Sequence, residues 1–255
     1  MIARITLLIV FVSILAACTP QAAAPTPTPT PDALTLVTEA AAALRSATAF
    51  RMSVEQEGPD YAIGTEYGNV IFRRASAQYA APGVMQASIR VLAAGLPIDV
   101  DVFSRGQEQW YRAIWTGSQW LNQPFAPGFN PETLIAEDTG FQAALNALTN
   151  LEYAGEQTLE SGAQTYHLAA TADGPEVNAL LAGLIETAGA VTVDVYVDQT
   201  TRAPVRFVVT ETQPLPESTF TGAPTTATAD PEPVVWIIDL YDYNADVQFD
   251  DPEAR

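Results

Sequence analysis

The sequence predicts an α+β protein with one antiparallel sheet of about nine to eleven strands and three helices inserted at separate places. From Phe50 onward, apolar and polar residues alternate with a period of two in many short segments that are separated by turn residues. This period is typical of half-buried strands. Helical periodicity is confined to three short segments, one ahead of the first strand and two between later strands.

The first 17 residues have the composition of an export signal. Arg4 precedes the apolar run "ITLLIVFVSIL", which has the length of a signal-peptide core. The run ends in Leu15-Ala16-Ala17-Cys18, a stretch that resembles the bacterial lipobox, in which the cysteine receives diacylglycerol before cleavage. Cys18 is the only cysteine, so an internal disulfide is impossible. We expect residues 1–17 to be a lipoprotein signal peptide and Cys18 to be lipidated; an ordinary secretory signal or an uncleaved anchor is the alternative.

Residues 18–32 form the expected tether. The stretch "TPQAAAPTPTPTPD" alternates proline with threonine and lacks apolar periodicity, so it predicts an extended spacer of about 40 Å. For residues 33–255 the sequence predicts a single domain. Within it, a segment at about 214–233 is rich in Pro, Thr and Ala and predicts a mobile loop.

The first half of the domain begins with a helix that Asp32 caps and that places Leu34, Val37, Ala41 and Leu44 on one stripe. Strands follow from Phe50 to "LPIDVDVFSRG".

A hairpin is expected next, around Thr116-Gly117-Ser118, with Trp110, Trp115 and Trp120 distributed along it. These tryptophans could line an apolar cavity or touch a bilayer, but buried packing across strands is the favoured interpretation.

The second half contains two helical segments. "NPETLI" and "TGFQAALNALTN" predict a helix start and a short amphipathic helix with Phe141, Leu145 and Leu148. "GPEVNALLAGLIETAG" predicts a helix from Pro175 that is apolar on more than one face. Four further strands and a closing strand, "VVWIIDLYDYN", surround these helices.

The charge of the chain excludes some partners. The sequence has 11 arginines, no lysine and 30 acidic residues, for a net charge of −19. Such a surface repels phosphate backbones and anionic headgroups, so no nucleic-acid binding is expected and membrane contact must come from the lipid anchor. The acidic segment "DVQFDDPE" near the end predicts a solvated terminus.

Catalytic motifs are absent from the sequence. The only histidine, His167, lies in a predicted strand without a nucleophile motif, and a structural role is favoured. Asp99 and Asp101 share a strand face and could act as paired carboxylates or bind a hard cation, but alternation on a solvated face explains them equally well. We therefore expect no enzyme activity, no metal and no cofactor.

The order of elements, with "FNPETLIAEDTGFQAALNAL" and "GAQTYHLAATADGPEVNALLAGL" before "VTVDVYVDQTTRAPVRFVV", resembles the LppX/LprAFG lipoprotein family, whose fold is similar to that of the LolA/LolB carriers. The resemblance implies a strongly curved half-barrel sheet whose concave face is closed by helices over an apolar cavity that holds acyl chains. The helix at 175–187 would then be a lid, and the resemblance implies ligand contacts for Leu180, Leu181 and Leu184, and for Leu145 and Leu148 from the preceding helix. Plain core packing is an equal alternative for each leucine.

The function that this resemblance implies is a non-enzymatic carrier that is anchored to the outer face of the bacterial cell membrane and takes lipids or glycolipids into its cavity. The alternative is an envelope sensor or structural lipoprotein with a filled core that acts through a protein partner. A hydrolase that uses Asp99 and Asp101 is a third possibility.

Overall fold

A computed structural model of the chain describes residues 30–65, 68–126, 128–181, 185–187, 189–211 and 232–253. The signal peptide, Cys18, most of the tether, Leu184 and the loop predicted at about 214–233, up to residue 231, lie outside this described part. The strands are β1 (Ala49–Glu57), β2 (Ala62–Thr65), β3 (Gly68–Ala80), β4 (Val84–Ala93), β5 (Leu96–Arg105), β6 (Glu108–Arg112), β7 (Leu121–Asn122), β8 (Thr149–Thr158), β9 (Gln164–Asp173), β10 (Ala190–Asp198), β11 (Pro204–Glu211) and β12 (Val234–Tyr241).

The described strands form one open, curved, antiparallel sheet in the order β7-β6-β5-β4-β3-β1-β12-β11-β10-β9-β8, and β2 pairs with β3 beside this path. The predicted fold class is therefore confirmed. The described residues form twelve strands where about nine to eleven were expected, and both β2, with 4 residues, and β7, with 2 residues, are short. The last strand, β12, pairs with β1 in the middle of the sheet and so joins the strands of the first half of the chain to those of the second half.

The helices are α1 (Ala33–Arg45), α2 (Gly140–Asn146) and α3 (Gly174–Val177), with 3-10 turns at Ile114–Thr116, Pro131–Leu134 and Asn178–Leu181. The Asp32 carboxylate accepts a hydrogen bond of 2.8 Å from the backbone N–H of Thr35, which confirms the predicted cap. The apolar stripe differs from the prediction at one position. Leu34 is 67% exposed, and the buried face is formed instead by Leu36, Val37, Ala40, Ala41 and Leu44.

The prediction of a continuous helix at 175–187 is wrong in the described part of that segment. One α-helical turn ends at Val177 and a 3-10 turn follows. The side-chain oxygen of Asn178 accepts hydrogen bonds from the backbone N–H and the hydroxyl of Thr187, at 2.8 and 2.7 Å. Because asparagine binds backbone groups in competition with helical pairing, this contact favours a break in the helix and holds Asn178 and Thr187 together.

The core lies between the concave face of the sheet and the helices. Helix α1 contacts β8, β10 and β11, and α2 packs against α1 and α3. Phe141 of α2 stacks on Phe207 of β11, with ring centroids 6.0 Å apart. The inward residues of β10 and β11, including Val193, Val195 and Val209, are fully buried under these helices.

The C-terminal segment differs from the prediction of a solvated terminus, because it is attached to the sheet. The Phe249 ring packs edge-on against Phe103 at 6.2 Å, on the convex face of the sheet. Asp250 pairs with Arg112, and Arg105 binds both Asp251 and Glu253. Asp250, Asp251 and Glu253 are therefore ion-pair partners of arginines in β5 and β6.

Among the residues described, no helix has the length and apolar character that crossing a membrane requires.

Candidate ligand cavity

A cavity of about 750 Å³ lies on the concave face of β1, β3 and β4. Two segments that follow β7 and α3 form its other walls. The lining residues are Met52, Val54, Ile63, Phe72, Ala75, Ala77, Met85, Ala87, Ile89, Phe125, Ala126, Gly128, Phe129, Thr133, Leu134, Gly140, Ala179, Leu181, Ile185 and Glu186.

Small side chains on the sheet create the space. Ala77 of β3 pairs with Ala87 of β4, and Ala75 pairs with Ile89. Strand alternation points these residues inward, where the corresponding positions of β10 and β11 carry valine or phenylalanine. Three of these four inward positions are alanine. The side chains on the concave face are therefore shorter here than under α1 and α2, and space remains above them.

Gln109 fixes one wall of the cavity. This buried side chain on β6 donates hydrogen bonds from Nε2 to the carbonyl oxygens of Ala126 and Phe129, at 2.9 and 3.0 Å. Its Oε1 accepts hydrogen bonds from the backbone N–H groups of Phe125 and Ala126, both at 3.0 Å. One glutamine thus satisfies four backbone groups and holds both wall phenylalanines against the sheet.

Gly140 lets the next part of this wall approach its neighbours. Its φ is +63°, and a Cβ atom there would lie 2.2 Å from the carbonyl oxygens of Thr133 and Leu134. Only glycine permits both this conformation and this contact. The wall that includes Leu134 can therefore turn directly into α2.

Among the described residues, the opposite wall includes Ala179, Leu181, Ile185 and Glu186. The Tyr61 hydroxyl donates a hydrogen bond of 3.2 Å to the Glu186 backbone carbonyl and lies within 3.4 Å of the Glu186 N–H. Burial raises the pKa of Tyr61, so its phenol stays protonated and remains a donor at neutral pH. This contact joins the wall to the residue that precedes β2.

The leucines predicted as ligand contacts occupy different places. Leu181 lines the cavity. Leu180 and Leu145 are buried in the core, and Leu148 is half-buried against it; none of these three is among the lining residues. Leu184 lies outside the described residues. The alanine and methionine positions of β3 and β4, together with Gln109, were not predicted.

The other candidate residues have structural partners. The Asp99 carboxylate accepts two hydrogen bonds from Arg90, both 2.7 Å, and these lower the pKa of Asp99. Asp101 is 2.9 Å from Nε of Arg112. His167 Nε2 lies 2.6 Å from Asp194 Oδ1, on an exposed face of the sheet. Within the described ranges, no group of three or more His, Cys, Asp and Glu side chains could hold a metal ion.

The three tryptophans of the β6–β7 hairpin differ from one another. Trp110 is buried against Phe103, which confirms the favoured interpretation for this residue. Trp120 is half-buried, and Arg112 stacks on its ring at 4.5 Å. Trp115 is 55% exposed, so for this residue the prediction of burial is wrong. It lies in the 3-10 turn after β6, where no second layer covers it.

An open curved sheet, closed by short helices over a hollow of apolar side chains, defines a class of fold. The LppX_LprAFG lipoprotein family matches residues 32–249. The chain belongs to this family. Membership in a family of lipoproteins indicates an exported, membrane-associated protein.

Two solved structures share the fold. LprF from Mycobacterium bovis aligns with a TM-score of 0.61 at 15% identity, over 89% of this chain and 99% of LprF. Lipoprotein LppX from Mycobacterium tuberculosis aligns with a TM-score of 0.53 at 16% identity, over 86% of this chain and 100% of LppX. At these identities the likeness establishes the fold alone. No curated protein matches the sequence.

Proposed function

We propose that this protein binds the acyl chains of lipids or glycolipids in its cavity and carries them within the bacterial cell envelope, without catalysing a reaction. The composition of the cavity wall is the observation that carries this proposal. Among the described lining residues, Thr133 and Glu186 are the two with polar side chains. A hollow of this kind favours hydrocarbon over a charged or hydrogen-bonding ligand.

The volume of the cavity sets the size of the ligand. A methylene group has nearly the volume of a water molecule, about 30 Å³, so 750 Å³ accommodates about 25 methylenes. Each buried methylene contributes about 0.8 kcal/mol. A single long acyl chain therefore binds with ample driving force, and a second chain would reach toward the opening of the cavity.

The anchor completes the proposal. Lipidation of Cys18 would attach the chain to the outer face of the cell membrane through diacylglycerol, and the tether at 18–32 would let the folded part reach lipids in that membrane. Two or more acyl chains give stable attachment where one gives marginal attachment. No other cofactor is required.

The test is to purify the full chain from membranes and to analyse it by native mass spectrometry and by solvent extraction. We expect lipid in addition to the covalent anchor. Ala77→Leu and Ala87→Leu together should reduce the extracted lipid several-fold, because the added side chains occupy the hollow. Ala42→Leu, on the exposed side of α1, is the matched control and should retain lipid.

A protein that is repeatedly empty, and that ignores added fatty-acyl probes, would overturn the carrier proposal. A cross-linked envelope protein would then favour the sensor or structural alternative.

A further inference from the structure

Four large apolar side chains are exposed in β5, in β7 and in the turn that joins β6 to β7, at one side of the sheet. We define the apolar corner as Leu96, Ile114, Trp115 and Leu121, with exposed fractions of 67%, 80%, 55% and 38%. Leu96 begins β5. Arg112 pairs with Asp101 of β5, so the chain leaves β6 toward the same end of the sheet. The 3-10 turn Ile114–Thr116 contacts β5 there.

The apolar corner is continuous with the cavity. Ala87 and Ile89 line the cavity and pair with Val102 and Val100 of β5. Strand alternation puts Ile98 and Leu96 on this same concave face. Along this row the side chains pass from buried at Val102 through half-buried to exposed at Leu96. An apolar path thus leads along the inner face of β5 from the hollow to the surface.

The apolar corner also differs from the rest of the chain in charge. Residues 91–98 and 113–131 contain no charged side chain, although the chain has a net charge of −19. The nearest carboxylates on β5 are paired with arginine, Asp99 with Arg90 and Asp101 with Arg112. A bilayer that repels the acidic body has no such repulsion from this corner.

We propose that the apolar corner docks on a lipid bilayer and forms the mouth through which acyl chains pass between membrane and cavity. A bilayer is the occupant that the observations favour, because the family is one of membrane-associated lipoproteins. Tryptophan and leucine at a neutral tip suit the interface of headgroups and acyl chains. The role as a mouth rests on the proposed function, whereas docking does not.

The test uses the full chain reconstituted through its anchor into phosphatidylcholine vesicles, with and without brominated acyl chains. Bromine quenches tryptophan only within close reach, and Trp115→Phe identifies the contribution of Trp115 while keeping an apolar ring. We expect quenching that Trp115→Phe removes. Leu96→Ser should lower the docking equilibrium constant roughly tenfold, because an apolar contact with the bilayer is lost.

The control is Leu34→Ser on α1, because Leu34 has the same exposed fraction of 67% as Leu96 but lies away from the corner. It should leave the quenching unchanged. The proposal that the apolar corner docks on a bilayer would be wrong if Trp115 were not quenched. It would also be wrong if Leu96→Ser and Leu34→Ser changed the quenching equally.

Two outcomes separate this inference from the proposed function. Lipid in the cavity together with an unquenched Trp115 would overturn the docking surface and leave the carrier proposal standing. Quenching of Trp115 in a protein whose cavity never holds lipid would support docking and overturn the carrier. A photo-cross-linker at position 115 that captured a protein instead of lipid in intact cells would also overturn the bilayer as the occupant.

Discussion

The two halves of the sheet are packed in opposite ways. In the filled half, β8 to β12, helices α1 and α2 cover inward valines and phenylalanines that are fully buried. In the hollow half, β1 and β3 to β5, the inward positions include Ala75, Ala77 and Ala87, and the cavity takes the place of a core. The comparison teaches that one continuous sheet can supply stability at one side and binding space at the other.

The hollow half is supported from its convex face. Phe103 is buried there among Trp110, Trp120 and Phe249, with centroid distances between 5.6 and 6.4 Å. The Arg112 guanidinium lies over the Trp120 ring. A second, outer cluster of aromatic rings thus replaces the packing that the cavity removes from the inside.

The largest expected contrast is the loss of one phenyl ring in each half. Phe207→Ala removes a buried ring that stacks on Phe141, so we expect it to lower the free energy of unfolding by about 3–5 kcal/mol. Phe129→Ala removes a half-buried ring that faces a hollow and should cost about 1 kcal/mol or less. Urea unfolding of both variants measures the difference, and equal losses would contradict the division into filled and hollow halves.

Gln109→Glu tests how the cavity wall is held. A carboxylate still accepts hydrogen bonds from the N–H groups of Phe125 and Ala126, but it cannot donate to the carbonyl oxygens of Ala126 and Phe129. Two buried acceptors lose their partner, and we expect unfolding at neutral pH to become easier by about 2–3 kcal/mol.

Gln119→Glu is the control for this change, because Gln119 is exposed and the added charge is the same. A similar loss in both variants would show that charge, and not the hydrogen bonds of Gln109, is responsible.

Enlarging one alanine in each half gives a smaller contrast. Ala144→Leu overpacks a site in α2 that is fully buried, at a cost of about 1–3 kcal/mol. Ala87→Leu adds the same atoms to the cavity floor and should leave the free energy of unfolding nearly unchanged. Thermal unfolding of lipid-free protein checks this, and strong destabilisation by Ala87→Leu would mean that the cavity floor has no spare room.

The smallest expected effect is the pH dependence of the attachment of the C-terminal segment to the convex face of the sheet. The pKa of Asp251 is held below its ordinary value of 3.8, chiefly by the hydrogen bond from the Glu253 backbone N–H and also by Arg105. A lowered pKa in the folded state stabilises the attached segment above about pH 3.8, and this contribution is lost as the pH falls through the lowered value.

Hydrogen exchange of the Asp250 amide, which donates to Gln86 Oε1 at 2.9 Å, reports attachment of the segment. After correction for intrinsic rates, we expect its protection to fall at acid pH in the wild type. Asp251→Asn should show a weaker dependence on pH, and identical profiles would contradict the role of this carboxylate.

Local signals in the sequence predicted most of the fold. The cap at Asp32 and the period of two are decided by residues a few positions apart, and both are present in the structure. The cavity follows a less obvious pattern. The alternate alanines of "RRASAQYA" and the alternate Met85, Ala87 and Ile89 of "MQASIRV" have a strand period, but nothing in this period predicts that the facing helices leave these side chains uncovered.

Contacts between distant residues could not be predicted from the sequence. Gln109 binds residues 16 to 20 positions away, and Arg112 binds Asp250 across 138 positions. The acidic segment near the end therefore has the composition of a solvated tail, while its partners are arginines in strands far away in sequence. The break in the helix after Val177 also depends on a hydrogen bond between Asn178 and Thr187 that periodicity does not reveal.

The segment after Asn244 has a practical consequence for anyone who shortens or cleaves this protein. Gln78 of β3 and Gln86 of β4 hold its backbone through Gln248 and Asp250, directly behind the two strands that carry the alanine floor. A protease cut there would remove no lining residue, yet the floor would lose its backing. The ligand affinity measured on such a trimmed form would therefore belong to a cavity whose floor is held less firmly than in the intact protein.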